Sequence, residues 1–178
     1  MKEFEQAVVY EPKIYYDDRG CFQEIYKESV FKDFNLKQIN ESTSRKGTLR
    51  GLHFQKGEHA QAKIVRCLKG VIFDVAVDLR KDSPTFAQYT SVILTEDDNK
   101  FFYIPRGFAH GFLALEDNTK IQYFCDNEYN KESEGGVMYD DRLYNIEWPK
   151  VDGGYVISDK DKKYEYLNKF NIDEILKD

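Results

Sequence analysis

The stretch VIFDVAVDL, residues 71–79, alternates in character from one residue to the next. One face of the alternation holds Val71, Phe73, Val75, Val77 and Leu79, and the other holds Asp74 and Asp78. Successive side chains of a β-strand point to opposite faces of a sheet, so a period of two predicts a strand here.

Comparable short runs recur on both sides of this strand. They are KIVRCL (63–68), YTSVILT (89–95), KFFYIP (100–105), GFLAL (111–115) and KIQYFC (120–125). Turn-rich pieces such as KDSP and EDDN separate them, and this regular spacing predicts an all-β sandwich or barrel rather than alternating strands and helices. Two segments look helical instead, KESVFKDF (27–34) and KKYEYLNKF (162–170).

The composition predicts one domain. A chain of 178 residues, of which 41% are hydrophobic and 15% aromatic, can bury one sizeable core. We therefore expect a single domain over residues 1–178. The sequence departs from the strand pattern after Pro149, so residues from about 150 are expected to form a C-terminal extension that packs on the barrel.

Charge and cysteine usage exclude several functional classes. The net charge of -6 comes from acidic and basic residues spread along the chain without a polybasic run, which argues against a nucleic-acid or membrane surface. No run of eighteen apolar residues or signal-like segment occurs, so we expect a cytoplasmic protein. Cys21, Cys67 and Cys125 lack Cys-x-x-Cys spacing and are predicted to be buried thiols.

The three histidines differ in their settings. His110 lies in IPRGFAHGF, where Pro and Gly indicate a turn into a strand, and its Pro-x-Gly-x-x-His pattern resembles the second motif of the cupins. Cupin metal sites use a His-x-His pair, but His53 is followed by Phe54 and Gln55, so we expect no bound metal. His59 lies in the polar stretch KGEHAQ and is expected to be a solvated surface residue.

His53 is the strongest candidate for proton transfer. Its neighbours in RGLHFQKGEHAQAK (50–63) include Arg50 and Lys63. Imidazole can remove a proton near neutral pH, and an ammonium can stabilise the enolate that results. Arg50 and Arg19 are candidates for holding phosphate. On residue type alone, a buried structural histidine and a surface lysine remain open alternatives.

Four motifs carry a resemblance to a known family. RGLHFQ, VIFDVAVDLRKDSPTF, IPRGFAHGFLAL and the pair Trp148 and Pro149 occur in the order and spacing of the dTDP-4-dehydrorhamnose 3,5-epimerases, over residues 16–161. The resemblance implies a cupin-type jelly-roll, or double-stranded β-helix, with a few short peripheral helices. It also implies a homodimer that exchanges strands, and a cofactor-free inversion of carbons 3 and 5 in a nucleotide-linked 4-keto-6-deoxy sugar.

The same resemblance implies the catalytic roles. His53 resembles the general base, Tyr123 the acid that reprotonates from the opposite face, and Lys63 the cation that stabilises the enolate. Asp161 resembles the carboxylate that orients the base, with Asp159 as the alternative. Ser158 and Asp161 also fit a capping box, so a structural role for Asp161 stays open.

Further residues match substrate-binding positions. The resemblance implies that Arg19, Gln38, Asn40 and Arg50 approach the nucleotide and diphosphate. It also implies that Phe22 and Glu24 of the neighbouring subunit contact the nucleotide base, and that His110 contacts the sugar.

Three other functions stay open at this point. One is epimerisation of a GDP-4-keto-6-deoxyheptose at carbon 3 or at carbons 3 and 5, because relatives act on such sugars. The others are a metal-dependent cupin and a noncatalytic binder of nucleotide sugars.

Overall fold

The chain is built almost entirely from antiparallel strands. A computed structural model describes residues 5–31 and 33–175. Within those ranges it contains twelve β-strands and four 3₁₀ turns but no α-helix, and no helix there is long and apolar enough to cross a bilayer. The expected single domain over residues 1–178 therefore includes positions outside the described ranges.

The strands form two five-stranded sheets and one separate hairpin. Sheet I has the order β1 (Val8–Tyr10), β9 (Phe101–Ile104), β6 (Lys63–Lys69), β11 (Thr119–Cys125) and β4 (Gln38–Ser44). Sheet II has the order β12 (Glu134–Gly136), β5 (Leu49–Gln55), β10 (Phe108–Ala114), β7 (Val71–Asp78) and β8 (Tyr89–Thr95). The hairpin consists of β2 (Ile14–Asp17) and β3 (Gly20–Gln23).

The main core lies between the two sheets. Val65 and Ile121 from sheet I pack in one cluster with Ile72, Ala76 and Phe112 from sheet II, and all five are almost fully buried. Apolar burial of this kind contributes about 25 cal/mol for each Å² removed from water, so it holds the sheets face to face. The arrangement is a cupin-type jelly-roll barrel, as predicted.

Each sheet is also covered on its outer face. Phe31 and Phe34 pack on the outside of sheet I, against Phe101 and Phe124. The segment after β12 packs on the outside of sheet II, where Leu167 contributes to the cluster of Val75 and Val77. Because both outer faces carry apolar cover, the inner strands are buried on both sides.

The strand predicted over residues 71–79 is present as β7 (Val71–Asp78), and it occupies an inner position of sheet II. Its alternation places Val75 and Val77 in the outer cluster, whereas Ile72 and Ala76 face the barrel interior. Asp74 and Asp78 are therefore buried rather than solvated. The other five predicted strands are confirmed as β6, β8, β9, β10 and β11.

The two predicted helical segments are wrong as helices. Over 27–34, outside Lys32, the backbone makes reverse turns, because Phe31 and Phe34 are both drawn onto sheet I. Over 162–170 it makes two separate 3₁₀ turns, Asp161–Lys163 and Leu167–Lys169. Glu165 between them bridges Val137, and this pairing prevents a continuous helix.

Candidate active site

One cavity collects most of the residues that the sequence predicted for the site. It has a volume of about 320 Å³ and lies between the two sheets. Its walls include predicted site residues from both sheets, His53 from sheet II and Gln38, Asn40, Lys63 and Tyr123 from sheet I. Side chains from opposite sheets therefore face a common space.

A close approach of two glycines sets the position of His53. A Cβ atom on Gly51 would lie 2.6 Å from the Cα of Gly111, and one on Gly111 would lie 2.6 Å from the carbonyl oxygen of Arg50. Gly51 also has a φ of 118°, which side chains other than glycine rarely adopt. The ladder between β5 and β10 is irregular at this point and pairs His53 with His110.

The imidazole of His53 is tied to the C-terminal segment. His53 Nε2 lies 2.9 Å from Oδ1 of Asp161, whose side chain is only 5% exposed. The second oxygen of Asp161 accepts the Gly51 N–H at 3.1 Å. Burial alone would raise the pKa of the Asp161 carboxyl, but the hydrogen bond and charge of His53, with the Gly51 N–H, lower it.

The choice between the two aspartates follows from their exposure. The side chain of Asp159 is 94% exposed and lies 3.9 Å from Lys162, away from His53. Asp161 alone of the two contacts the imidazole. One bond of the predicted capping box is present, because Ser158 Oγ accepts the Asp161 N–H at 3.0 Å, and this bond helps to hold Asp161 in place while its carboxylate reaches His53.

Tyr164 packs against the imidazole of His53. Its ring centroid lies 5.6 Å from that of His53, with the two planes at 68°. A Cβ atom on Gly136 would fall 2.4 Å from the Tyr164 ring, so glycine at 136 leaves the space that this ring occupies. Asp161 and Tyr164 therefore both contact the imidazole of His53.

Lys63 and Tyr123 face the cavity from sheet I. Both reside on neighbouring strands, where Lys63 pairs with Cys125 and Tyr123 pairs with Val65. Burial lowers the pKa of the Lys63 ammonium, although the charges of Cys125, Asp74 and Glu134 oppose this. Burial raises the pKa of the Tyr123 phenol, so it keeps its proton at neutral pH.

Two predicted binding residues lie beside Tyr123 in the cavity wall. Asn40 pairs with Tyr123 across β4 and β11, and Gln38 donates from Nε2 to Asn40 Oδ1 at 2.8 Å. Arg50 is exposed and donates from Nε to Ser44 Oγ at 3.2 Å. It does not line the cavity, but its positive charge acts on the Tyr123 phenol.

His110 takes a more buried position than the sequence suggested. Its Nε2 lies 2.6 Å from Oδ1 of Asp74, and its side chain is only 10% exposed. The other carboxylate oxygen of Asp74 is buried and has no hydrogen-bond partner among the described residues. His110 sits next to His53 across the strand ladder but does not line the cavity in this chain.

Three predicted binding residues lie away from the cavity. Arg19 forms an ion pair with Asp17 at 2.6 Å on the β2–β3 hairpin, and Glu24 pairs with Lys27 just beyond it. Phe22 is 65% exposed and borders a separate hollow on the same hairpin. Within one chain the fold does not bring these residues to His53.

Six cavity residues were not predicted from the sequence as site residues, namely Phe54, Gln55, Gln61, Cys125, Tyr129 and Glu134. Gln55 follows His53 by two positions, so the period of a strand could have placed it on the same face. No sequence pattern indicated Tyr129 and Glu134, because their position at the cavity depends on the course of the loop after β11. His59, by contrast, pairs with Glu58 at 3.7 Å and does not line the cavity.

The described part of the chain offers no cluster of three or more His, Cys, Asp or Glu side chains arranged for a metal ion. The three cysteines are free, and two of them, Cys67 and Cys125, are buried as expected, whereas Cys21 is exposed on the hairpin.

The chain is similar in sequence to a family of sugar-nucleotide epimerases. The sequence profile described as dTDP-4-dehydrorhamnose 3,5-epimerase matches residues 1–169. The dTDP-4-dehydrorhamnose 3,5-epimerase of Escherichia coli is 41% identical over 98% of this chain and 94% of its own length.

Two solved structures show the same fold. The dTDP-4-dehydrorhamnose 3,5-epimerase of Elizabethkingia anophelis superposes with a TM-score of 0.89 at 42% identity, covering 94% of each chain. The dTDP-6-deoxy-D-glucose-3,5-epimerase of Legionella pneumophila, in complex with dTDP-4-keto-L-rhamnose, gives 0.88 at 39% identity, covering 96% of this chain and 92% of that one.

Proposed function

The chain belongs to the dTDP-4-dehydrorhamnose 3,5-epimerase family, and on that premise we propose that it converts dTDP-4-dehydro-6-deoxyglucose to dTDP-4-dehydrorhamnose. It is an isomerase that inverts carbons 3 and 5 of the sugar. The observation that carries the proposal is the placement of His53 on sheet II opposite Lys63 and Tyr123 on sheet I, across one cavity.

The first half-reaction removes a proton. The keto group at carbon 4 makes the protons on carbons 3 and 5 acidic, because the electrons of the broken C–H bond move onto the keto oxygen. His53 takes the proton, and Asp161 stabilises the imidazolium that forms. Lys63 stabilises the enolate oxygen by charge and hydrogen bonding. The reaction needs no cofactor.

The second half-reaction returns a proton to the opposite face. Tyr123 donates its phenolic proton to the carbon, and the enolate electrons reform the keto group. Inversion requires an acid and a base on different sides of the ring, and the position of His53 and Tyr123 on different sheets around one cavity supports this assignment. Solvent exchange then restores His53 and Tyr123 before the cycle repeats at the second carbon.

Substrate binding extends from the cavity towards its mouth. Gln38 and Asn40 supply amides beside Tyr123 for the nucleotide and diphosphate. Arg50 lies close enough for its charge to act on Tyr123, and its guanidinium suits phosphate oxygens. A sugar contact by His110 stays a prediction, because its ring is bonded to Asp74 and does not line the cavity in this chain.

The hairpin residues reach the site through a second subunit. The β2–β3 hairpin pairs with no other described strand, and it exposes Tyr15, Tyr16 and Phe22. An isolated two-stranded hairpin is marginally stable in water, so it needs a partner surface. We propose that two copies exchange these strands, so that Arg19, Phe22 and Glu24 complete the partner's site.

Two broader features belong to the same proposal. The chain folds as one domain, in which the residues from about 150 pack on the outside of the barrel as an extension, as the contacts of Leu167 support. The enzyme works in the cytoplasm, where a reducing environment keeps its three cysteines free.

The test uses the purified chain after treatment with a chelator. It is incubated with dTDP-4-keto-6-deoxyglucose and, separately, with GDP-4-keto-6-deoxyheptose, and proton NMR follows the configuration of each sugar. Inversion of both carbons of the dTDP sugar is the expected result. Inversion of the GDP sugar instead, inversion at carbon 3 alone, or activity only after metal is restored would overturn the assignment.

The remaining alternatives have less support. The relatives named above are dTDP-sugar enzymes, so GDP-heptose epimerisation is not favoured. A noncatalytic binder would have no need for a base and an acid on opposite walls of its cavity.

A further inference from the structure

The segment that links β11 to β12 borders the cavity without belonging to either sheet. We refer to residues 126–133 as the rim loop. It carries Tyr129, which lines the cavity with half of its surface exposed, and it leads directly into Glu134. Tyr129 donates its hydroxyl to Glu134 Oε2 at 3.0 Å, so the two side chains form one edge of the cavity.

Three glutamines that line the cavity bond to the backbone of this loop. Gln38 Oε1 accepts the Tyr129 N–H at 2.9 Å, and Gln55 Oε1 accepts the Asn130 N–H at 3.0 Å. Gln61 donates from Nε2 to the Asn127 carbonyl at 2.8 Å. The glutamines belong to β4, to β5 and to the segment before β6, so three separate parts of the barrel hold one short stretch.

Chemistry fixes the orientation of each amide. A backbone N–H can only donate, so Gln55 must turn its oxygen to Asn130. A backbone carbonyl can only accept, so Gln61 must turn its nitrogen to Asn127. Glutamate has the same shape as glutamine but only acceptor oxygens when ionised. It can therefore replace Gln55 in this contact, whereas it cannot replace Gln61.

The amide atoms of Gln55 and Gln61 that bond to the loop are not available to bind substrate. Gln55 is only 5% exposed, and its oxygen is used by the loop. The catalytic residues His53, Lys63 and Tyr123 lie on strands β5, β6 and β11, whose backbones are held by pairing within the two sheets. Loosening the loop should therefore disturb the edge that borders the substrate more than the groups that transfer protons.

We propose that Gln55 and Gln61 are positioning residues that hold the rim loop so that Tyr129 and Glu134 form the substrate-binding edge of the cavity. This inference rests on the proposed function, because the edge is taken to border a nucleotide sugar. It assigns to the two glutamines an indirect role in affinity, through the backbone of residues 127 and 130.

Four variants test it: Gln55→Met, Gln55→Glu, Gln61→Met and Gln61→Glu. The methionine variants remove each bond without adding charge, and the two glutamate variants add the same charge to the same cavity. Loss of the bond should raise KM, and the Kd of dTDP measured by calorimetry, by about tenfold in Gln55→Met, Gln61→Met and Gln61→Glu. The value of kcat should stay within about threefold.

Gln55→Glu is the discriminating variant. It should recover most of the affinity that Gln55→Met loses, whereas Gln61→Glu should bind no better than Gln61→Met. Equal behaviour of the two glutamate variants would overturn the proposal. So would an unchanged KM in all four variants with a fall only in Tm, because that result indicates a purely structural role.

Hydrogen exchange of the rim loop gives a second measurement that needs no substrate. The amide of Asn130, which Gln55 accepts, should exchange faster in Gln55→Met than in Gln55→Glu, and equal protection would contradict the proposal. If the wild-type chain fails to epimerise the dTDP sugar while the exchange pattern holds, the proposed function is wrong but the role of the glutamines in holding the loop stands.

Discussion

Asp161 binds two groups of the same strand at once, His53 through one carboxylate oxygen and the Gly51 N–H through the other. The segment after β12 is thereby fastened to β5 at the residue proposed as the base. Because the carboxylate occupies one ring nitrogen, the other nitrogen is left to take a proton from substrate. The C-terminal extension therefore forms part of the site as well as part of the packing.

Replacement of Asp161 by asparagine should remove most of the activity. An amide can donate to the imidazole and favour the wrong tautomer, and it cannot stabilise the imidazolium. We expect kcat to fall by about two to four orders of magnitude with little change in Tm. The exposed Asp159→Asn is the matched control and should stay near wild type; the reverse ranking of the two variants would refute the assignment.

The ring of Tyr164 should matter more than its hydroxyl. Tyr164→Phe keeps the ring against His53, whereas Tyr164→Leu leaves the imidazole free to tilt. We expect kcat to fall about tenfold in the leucine variant and less than about threefold in the phenylalanine variant. Steady-state kinetics at a single pH measure both values, and equal losses in the two variants would argue against a contact through the ring.

The buried pair of His110 and Asp74 should show strong coupling. His110→Ala leaves the Asp74 carboxyl buried without its partner, and we expect a loss of about 3–5 kcal/mol in the free energy of unfolding. The same substitution in an Asp74→Asn background should cost much less. Urea denaturation of the four proteins gives the coupling energy, and additive effects would mean that the pair does not interact.

Asp78 should make stability dependent on acid. Burial would raise the pKa of its carboxyl, but bonds from Arg80, Ser83 and Thr85 lower it. A lowered folded pKa gives stability that is present above the usual carboxyl pKa of about 4 and lost as pH falls through the folded value.

At pH 7, Asp78→Asn should therefore be less stable than wild type by about 1–3 kcal/mol. The difference should shrink below about pH 4, as followed by urea denaturation at each pH. A difference that stays constant down to pH 2 would show that ionisation of Asp78 contributes nothing.

The sequence predicted the barrel well where strands have an apolar period of two. It predicted no strand over Gln38–Ser44 or Leu49–Gln55, because the first has few apolar residues and the second is interrupted at Gly51. The false helices arose from local spacing alone. Long-range contacts determine the backbone of these segments instead. Phe31 and Phe34 are buried on sheet I, and Glu165 pairs with Val137.

The site residues likewise fall into those that local sequence motifs predicted and those that only long-range packing brings together. The motifs indicated His53, Lys63 and Tyr123, and the cavity contains all three. The contacts of Tyr164 and the three glutamines depend on segments far apart in the sequence, so no local pattern could predict them. Arg19, Phe22 and Glu24 remain predictions, because one chain does not bring them to the cavity.

The most direct test of opposed proton transfer is deuterium incorporation by Tyr123→Phe, followed by proton NMR in heavy water with dTDP-4-keto-6-deoxyglucose. In Tyr123→Phe, the account predicts that His53 still removes the carbon 3 proton, so deuterium enters with the configuration retained. The wild type should invert carbons 3 and 5, and His53→Ala should exchange no proton for deuterium. Inversion at the wild-type rate in Tyr123→Phe, or exchange that persists in His53→Ala, would contradict it.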